Sequence, residues 1–456
     1  LLVIAVAALA CVLVCGHTPG VNGPWYWRWR WRRLDAVRFY PSMLAAAVPF
    51  FIGQFLWIKL AARRRPQFVR WILLLSMSSS LAMSFIATGL QMQPFGTAAL
   101  YRTMTDGNAN GYLVDADVLM TTRERGQITL DGFLQQFPRI MPMLHIHSRI
   151  RPPGVILFFS IFRGLFPDAH QAILVASLAI GILASLSIPA TYLLLLELTG
   201  SISAGVAAAS YLAMCPGFVL FFPAVDTIYP LATVTLALLW LRALVRRRIG
   251  YAIAFGLVLA ACCFCAFNVL VLGAFFGGLT LLQIRRGARW GWAINCAVAG
   301  VVAFVLFWFA LWLTTGFDII ATFKQALHQQ ALFEQVARRP YPQSIPWDVY
   351  DFLLGSGWIS AVLIAIGWRA WKRQGYTALV LLCLAQPLLV ALLKLLQTET
   401  ARVWLFMQPL LLVPVGLELA GWSPRQRIWV YAALVLITLT IGQNMWMVGW
   451  TSAITP

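Results

Sequence analysis

Apolar stretches of about twenty residues recur along the whole chain, separated by short polar segments rich in arginine. A helix of that length crosses about 30 Å of hydrocarbon. Because the apolar character is continuous rather than alternating, it favours helices over a β-barrel. The pattern predicts an all-α polytopic membrane protein with about 13 transmembrane helices. These helices are predicted near residues 1–15, 40–60, 71–90, 172–198, 202–222, 227–245, 250–264, 268–283, 290–315, 353–370, 376–396, 403–420 and 429–449.

The composition supports this class and excludes a water-soluble one. Of the 456 residues, 61% are hydrophobic and 11% are charged, against roughly 45–50% and about 25% in soluble domains. The net charge of +19 would suggest nucleic-acid binding in a soluble protein. Here most arginines lie in short loops beside helix ends. We therefore interpret them as topology signals and lipid-headgroup contacts, with no nucleic-acid partner.

The basic loops set the predicted orientation. They fall on one side of the membrane, which the positive-inside rule assigns to the cytoplasm. The external side of what we expect to be a bacterial plasma membrane then receives the long polar loop 91–171, the turn at Asp226, the loop 316–352 and the turn 397–402. The basic clusters are Arg63, Arg64, Arg65 and Arg70; Arg246, Arg247 and Arg248; Arg285, Arg286 and Arg289; Lys372 and Arg373; and Arg425 and Arg427.

Three segments need a separate interpretation. Residues 153–166 are apolar, but a full crossing there would move Arg246 to the outside, so we expect a half-inserted or interfacial helix. Residues 25–33 are rich in Trp and Arg and fall outside, against the positive-inside rule. They predict an interfacial Trp/Arg belt or, alternatively, contact with anionic lipid or a substrate phosphate. Residues 1–15 could be a signal-like anchor, although no basic segment precedes them.

The loop 91–152 is the longest polar segment and offers the best candidates for chemistry. Asp106, Asp115 and Asp117 lie in it, and a partly buried carboxylate just outside the bilayer suits a general base. On one helix Asp115 and Asp117 would point about 200° apart, which argues against a joint role. Each could instead be a solvated residue or a helix cap. Asp115-x-Asp117 or His145-x-His147 could also bind a metal, but neither has a clear third ligand.

The run His147-Ser-Arg149-Ile-Arg151-Pro-Pro-Gly154 leads into the apolar segment that follows the loop. Proline is tolerated in the first turn of a helix and fixes how the chain enters it. With an acidic residue earlier in the loop, this run resembles the GT-C superfamily of membrane glycosyltransferases, which includes protein mannosyltransferases and aminoarabinose transferases. The likeness covers roughly residues 71–420. Further similar segments are Pro216 with Phe222 to Pro230, Gly316 to Asp318, Arg339 to Tyr341 with Trp347 and Asp351, and Glu399 to Arg402 followed by Pro409.

The resemblance implies an inverting transferase that moves a sugar from a polyprenyl-phosphate carrier to an external glycan, lipid or protein. Asp106, or else Asp115 or Asp117, would be the general base; many superfamily members have adjacent acidic residues there, whereas Asp106 stands alone. Arg402, Arg149 or Arg151 would neutralise the departing phosphate, since guanidinium binds phosphate bidentately. No cofactor is implied beyond the lipid-linked donor, and a divalent metal is left open. The remaining substrate-binding candidates are His147, Asp226, His328, Tyr341 and Glu399.

Several of these residues have a structural alternative. Asp226 could orient the acceptor or cap the helix that starts near Thr227, and Glu399 and Arg402 could pair with each other. His328 and Tyr341, with Arg338 and Arg339, could contact the acceptor or serve only the fold.

The predicted regions are N-terminal helices in 1–70, a GT-C-like core in 71–245 with its catalytic loop 91–171, and C-terminal helices in 246–456 with the loop 316–352. Two other functions share this topology. A transporter or lipid flippase needs ionisable residues buried within helices. A glycan polymerase or ligase would use the loop 316–352 as its main site.

Overall fold

The structure is a computed structural model, and the regular elements of its described residues are helices apart from one two-residue β-pairing. It describes residues 1–18, 29–31, 33–60, 66–91, 95–105, 107–337, 340–397 and 399–446. Every segment predicted above as a transmembrane helix contains a helix. The helices are α1 Leu2–Cys15, α2 Ala36–Leu60, α3 Pro66–Gly89, α4 Thr97–Thr105, α5 Gly107–Glu124, α6 Leu130–Ile140, α7 Ile146–Arg149, α8 Gly154–Leu165, α9 Ala169–Ser185, α10 Ser187–Thr199, α11 Ile202–Met214, α12 Pro216–Leu220, α13 Tyr229–Arg246, α14 Ile249–Cys265, α15 Gly273–Arg285, α16 Trp290–Thr315, α17 Ile319–Ala337, α18 Ile345–Gly355, α19 Ile359–Gln374, α20 Thr377–Leu392, α21 Thr400–Val403, α22 Gln408–Ala420 and α23 Pro424–Asn444.

Six helical segments in the described part of the chain are long and apolar enough to cross a membrane, which is compatible with an integral membrane protein. A seventh results if α18 and α19, which are bent by 96° at their junction, form one span. The predicted number of about 13 is therefore not confirmed. The six segments are Ala36–Lys59, Gln67–Gly89, Ala169–Thr199, Val225–Arg246, Phe267–Arg285 and Trp290–Thr315.

Breaks in the helices account for part of this difference. The segment predicted as one helix over 202–222 ends at Met214 and resumes at Pro216, because proline favours an extended backbone at the residue before it, here Cys215. The bend between α18 and α19 contains Gly357 at φ +83° and Trp358 at φ +50°. Left-handed residues of this kind end a helix. Such breaks leave helices of 10–17 residues that are apolar but short.

The chain forms two compact units. Unit 1 consists of Leu1–Leu100, Ala179–Val234 and Pro340–Pro456. Its core contains α11, which is buried from Ala204 to Met214, and α22, which packs against it. A Cβ on Gly416 of α22 would lie 2.8 Å from the Ala204 carbonyl oxygen, so the glycine permits this close approach. Small residues at a helix contact are typical of membrane proteins.

Unit 2 consists of Tyr101–Leu178 and Thr235–Arg339 and contains most of the long polar loop. That loop is largely helical, comprising α5 to α8 in this unit. The helix α6 is amphipathic, burying Phe133, Leu134 and Phe137 on one face while Asp131 is exposed on the other. The helix α8 has 12 residues, about 18 Å at 1.5 Å per residue, which is too short for a full crossing. This length agrees with the interfacial helix predicted there.

The Trp/Arg segment lies mainly outside the described residues, but Trp29 is described. It is 3% exposed, in unit 1, and its indole nitrogen donates to a carboxylate of Asp351 at 2.5 Å. Trp29 is therefore buried within the protein, and the interfacial belt stays a prediction. The next residues, Arg30 and Trp31, pair antiparallel with Met445 and Trp446. The three predicted sequence regions and the membrane sidedness stay predictions.

Candidate functional site

The buried side chain of Asp115 holds His145 in unit 2. Asp115 Oδ1 lies 2.8 Å from His145 Nδ1, and the His145 backbone nitrogen donates to the same carboxylate at 3.2 and 3.3 Å. The Asp115 side chain is 6% exposed, whereas the imidazole is 42% exposed. The accessible group of this pair is therefore the imidazole. A buried carboxylate that orients a partly exposed histidine through Nδ1 is an arrangement suited to proton transfer.

Gly111 explains how His145 comes so close to α5. Gly111 and Asp115 are four residues apart and so share a face of the helix. A Cβ on Gly111 would lie 2.3 Å from the Cβ of His145, far inside van der Waals contact. Any other residue at position 111 would displace the histidine from the carboxylate.

A short helical turn carries His145 and Arg149 together. His145 is the N-cap of α7, and the backbone nitrogen of Arg149 donates to the His145 carbonyl oxygen at 3.0 Å. Arg149 is exposed, and its Nε donates to the backbone oxygen of Leu144. That bond orients the guanidinium, and the side chain remains accessible to an anion.

The other candidates of the His147-to-Gly154 run pack more deeply. Arg151 is 5% exposed, and its guanidinium lies 5.7 Å from the centre of the Tyr112 ring. The His147 ring lies 6.2 Å from the same tyrosine ring. A Cβ on Gly154 would lie 2.3 Å from the Phe264 carbonyl oxygen, so α8 begins in tight contact with the end of α14. Arg151 and His147 therefore anchor the run, whereas Arg149 reaches its surface.

Asp117 points away from Asp115, as the predicted helical spacing requires. Its carboxylate pairs with Arg163 Nε of α8 at 2.7 Å and is 51% exposed. Asp115 and Asp117 thus contact different elements and do not form a joint site. Asp106 lies outside the described residues.

In unit 1, Arg402 is buried among carboxylates. Its Nη2 lies 2.5 Å from Glu399 Oε2, and its Nε lies 3.8 Å from Asp226 Oδ2, an ion pair beyond hydrogen-bond distance. All three side chains are less than 10% exposed. The predicted pairing of Glu399 with Arg402 is confirmed. A guanidinium already facing two carboxylates is poorly suited to bind a phosphate, so Arg402 is a weaker candidate for that role than Arg149.

Asp226 lies within a 3₁₀ turn, Val225–Ile228, whose N-cap is Ala224. The alternative prediction, that Asp226 caps the helix starting near Thr227, is wrong, because Asp226 lies inside the turn and Ala224 is its N-cap. Asp226 is instead next to the Arg402 guanidinium, which explains how a carboxylate is tolerated at 4% exposure.

Asp351 organises the turn before α21. Its Oδ2 accepts from the Ala401 backbone nitrogen at 2.8 Å and from the Thr400 hydroxyl at 3.2 Å. The Thr400 hydroxyl also donates to the Asp348 carbonyl oxygen at 2.6 Å. These bonds hold Glu399, at φ +48°, and the adjacent Arg402 in place.

The two remaining candidates lie on exposed surfaces. His328 is exposed on α17 in unit 2. Tyr341 is 45% exposed in unit 1, and its hydroxyl donates to the Leu392 carbonyl oxygen at 2.8 Å. That bond supports the structural alternative for Tyr341. Arg338 and Arg339 lie outside the described residues.

Sequence reasoning missed the pairing of Asp115 with His145 and the bonds of the Asp351 carboxylate. The first two residues are separated by 30 positions, so no local spacing connects them. Asp348 and Asp351 carried a usable signal, because two carboxylates three residues apart in an apolar segment indicate a buried polar function.

Among the described residues, no group of three or more His, Cys, Asp or Glu side chains is arranged to hold a metal ion. The Asp115-x-Asp117 and His145-x-His147 pairs therefore do not converge with a third such ligand within that part of the chain. No protein-family model matches the sequence, and no curated protein matches it.

Proposed function

We propose that the protein is a membrane glycosyltransferase that moves a sugar from a polyprenyl-phosphate carrier to an acceptor hydroxyl on the external side. The observation that carries the proposal is the imidazole of His145, held by buried Asp115 one helical turn from the exposed Arg149. A base beside a cation is what transfer from a phosphate-linked donor requires.

In the proposed reaction, His145 Nε2 takes the proton of the acceptor hydroxyl. The acceptor oxygen then attacks the anomeric carbon from the face opposite the phosphate, and the bond to the phosphate oxygen breaks with inversion. Asp115 keeps Nδ1 protonated and stabilises the imidazolium that forms. Arg149 binds the departing lipid phosphate. Asp115, one of the two substitutes for Asp106 as the predicted base, thus becomes a positioning residue, and Asp106 remains the alternative base.

The test uses protein in nanodiscs with short-chain polyprenyl-phosphate sugars labelled in the sugar and a membrane extract as acceptor. We expect His145→Ala to lower kcat by about 10²- to 10⁴-fold, the usual contribution of a general base. Asp131→Asn is the matched control, because Asp131 is an exposed carboxylate of the same loop. Asp106→Asn is measured in parallel.

Each outcome assigns the base or rejects the class. Loss of transfer in His145→Ala with normal transfer in Asp131→Asn supports the mechanism. If Asp106→Asn abolishes transfer and His145→Ala does not, the base is Asp106 and the pair is structural. If the folded wild type transfers sugar from none of the donors, the glycosyltransferase proposal is rejected.

One observation favours a second candidate, a transporter or flippase of lipid-linked glycans. Buried ionisable residues in a membrane protein often mark a transport path, and Asp226, Glu399 and Arg402 form such a group in unit 1. The discriminating measurement is movement of a fluorescent lipid-linked glycan across liposomes containing the protein. Transport without transfer would favour this candidate.

A further inference from the structure

A cavity of about 490 Å³ lies in unit 1, between the start of α23 and the loop that joins α10 to α11. Its volume falls within the usual range for small-molecule sites, roughly 300–1,000 Å³. No Asp or Glu is among the described residues of its wall. The wall is formed by Trp57, Val69, Thr199, Gly200, Ser201, Ile202, Ser203, Pro424 and Arg427.

Arg427 brings an incompletely satisfied positive charge to this cavity. The residue is 4% exposed. Its Nη2 donates to Ser203 Oγ at 2.6 Å and to the carbonyl oxygens of Ala420 and Trp422 at 3.0 Å, and its Nε donates to Trp422 at 3.2 Å. Nη1 is buried and makes no hydrogen bond with the part of the chain that is described. A buried charged donor without an acceptor is costly, so this one calls for a partner.

Two helix N-termini reinforce the positive character of the cavity. The helix α11 begins at Ile202, and its N-cap Ser201 accepts from the Ala204 backbone nitrogen at 3.2 Å. The helix α23 begins at Pro424, beside the same cavity. The N-terminal ends of both helices carry partial positive charge and favour anions. The hydroxyls of Ser201 and Ser203, which accept from the Ala204 backbone nitrogen and from Arg427, add neutral donors around the guanidinium.

We propose that this cavity binds a phosphate group, supplied either by an anionic lipid headgroup or by phosphate in solution. Arg427 provides the positive charge, and the hydroxyls of Ser201 and Ser203 complete the shell. Guanidinium with hydroxyl donors and helix N-termini is the chemistry that recognises phosphate oxygens. The predicted sidedness of the basic loops places this cavity on the cytoplasmic side. The inference does not depend on the proposed transferase activity.

The experiment measures equilibrium binding to the full chain in uncharged detergent, with [³²P]phosphate in one arm and short-chain phosphatidic acid in the other. Arg427→Gln removes the charged donor. Val69→Phe fills the cavity and leaves the hydrogen bonds of Arg427 in place. Arg425→Gln is the matched control, since Arg425 is exposed two residues away. Thermal unfolding of each variant shows which ones are folded.

We expect Arg427→Gln and Val69→Phe each to weaken binding about tenfold or more. Arg427→Gln removes the positive charge, and Val69→Phe occupies the volume that the phosphate needs. Arg425→Gln should bind as the wild type does. Binding in only the lipid arm would identify a headgroup, and binding in only the phosphate arm a soluble anion. If Arg427→Gln does not fold, Val69→Phe decides the question. Absence of saturable binding in both arms, or an equal loss in Arg425→Gln, would overturn the inference.

Discussion

The ionisable groups of the two units both place carboxylates against a basic side chain, but in different surroundings. In unit 2, Asp115 is buried but presents an imidazole that is 42% exposed. In unit 1, the carboxylates of Asp226 and Glu399 enclose Arg402, and all three are buried. The sequence pattern of acid and base therefore does not distinguish an accessible group from an enclosed one. The difference lies in whether one member of the group reaches solvent.

The largest effect expected from this comparison is on the stability of unit 1. Arg402→Met would leave Glu399 and Asp226 buried without the arginine they face. Removing one partner of a buried ion pair usually costs about 3–5 kcal/mol, because the remaining charge is uncompensated. We expect a lowered midpoint of thermal unfolding in detergent, followed by tryptophan fluorescence.

A matched variant separates charge from shape at this position. Arg402→Lys keeps the charge but loses the planar fork of the guanidinium, so its midpoint should lie between those of the wild type and Arg402→Met. If Arg402→Met unfolds at the wild-type temperature, the group in unit 1 is not structural, and the contrast between the units fails.

The next effect concerns the site in unit 2. Gly111→Ala places a methyl group 2.3 Å from the Cβ of His145. Overpacking of this kind costs about 1–3 kcal/mol. We expect the rate of sugar transfer to fall by a larger factor than the loss of stability alone would cause, because the imidazole moves away from Asp115. The measurement pairs transfer kinetics with the unfolding midpoint.

Gly132→Ala provides the control for Gly111→Ala. It also adds a methyl group to a loop helix, with a nearest contact of 3.1 Å at the Thr129 hydroxyl. Equal loss of transfer in the two variants would mean that general disturbance of the loop, rather than the position of His145, governs activity.

The sequence predicted the helical class, the helical segments and the opposite directions of Asp115 and Asp117, because hydropathy and helical period are local properties. It did not predict the bend of α18 against α19, which depends on Trp358 adopting φ +50°. It also did not predict that Asp351 would bond Trp29, a contact between residues 322 positions apart. Pairings of that separation are set by tertiary packing, which a single sequence does not display.

The smallest expected effect belongs to Asp117, which the sequence placed beside Asp115 as a candidate base. Its pair with Arg163 is half-exposed, and exposed ion pairs contribute about 0–1 kcal/mol. We expect Asp117→Asn to change stability by less than about 1 kcal/mol and to leave transfer close to that of the wild type. The measurement compares Asp117→Asn with Asp115→Asn in the same transfer assay. A large loss in Asp117→Asn with little loss in Asp115→Asn would reverse the assignment, since the exposed carboxylate would then be the reactive group and the buried pair only a support for α7.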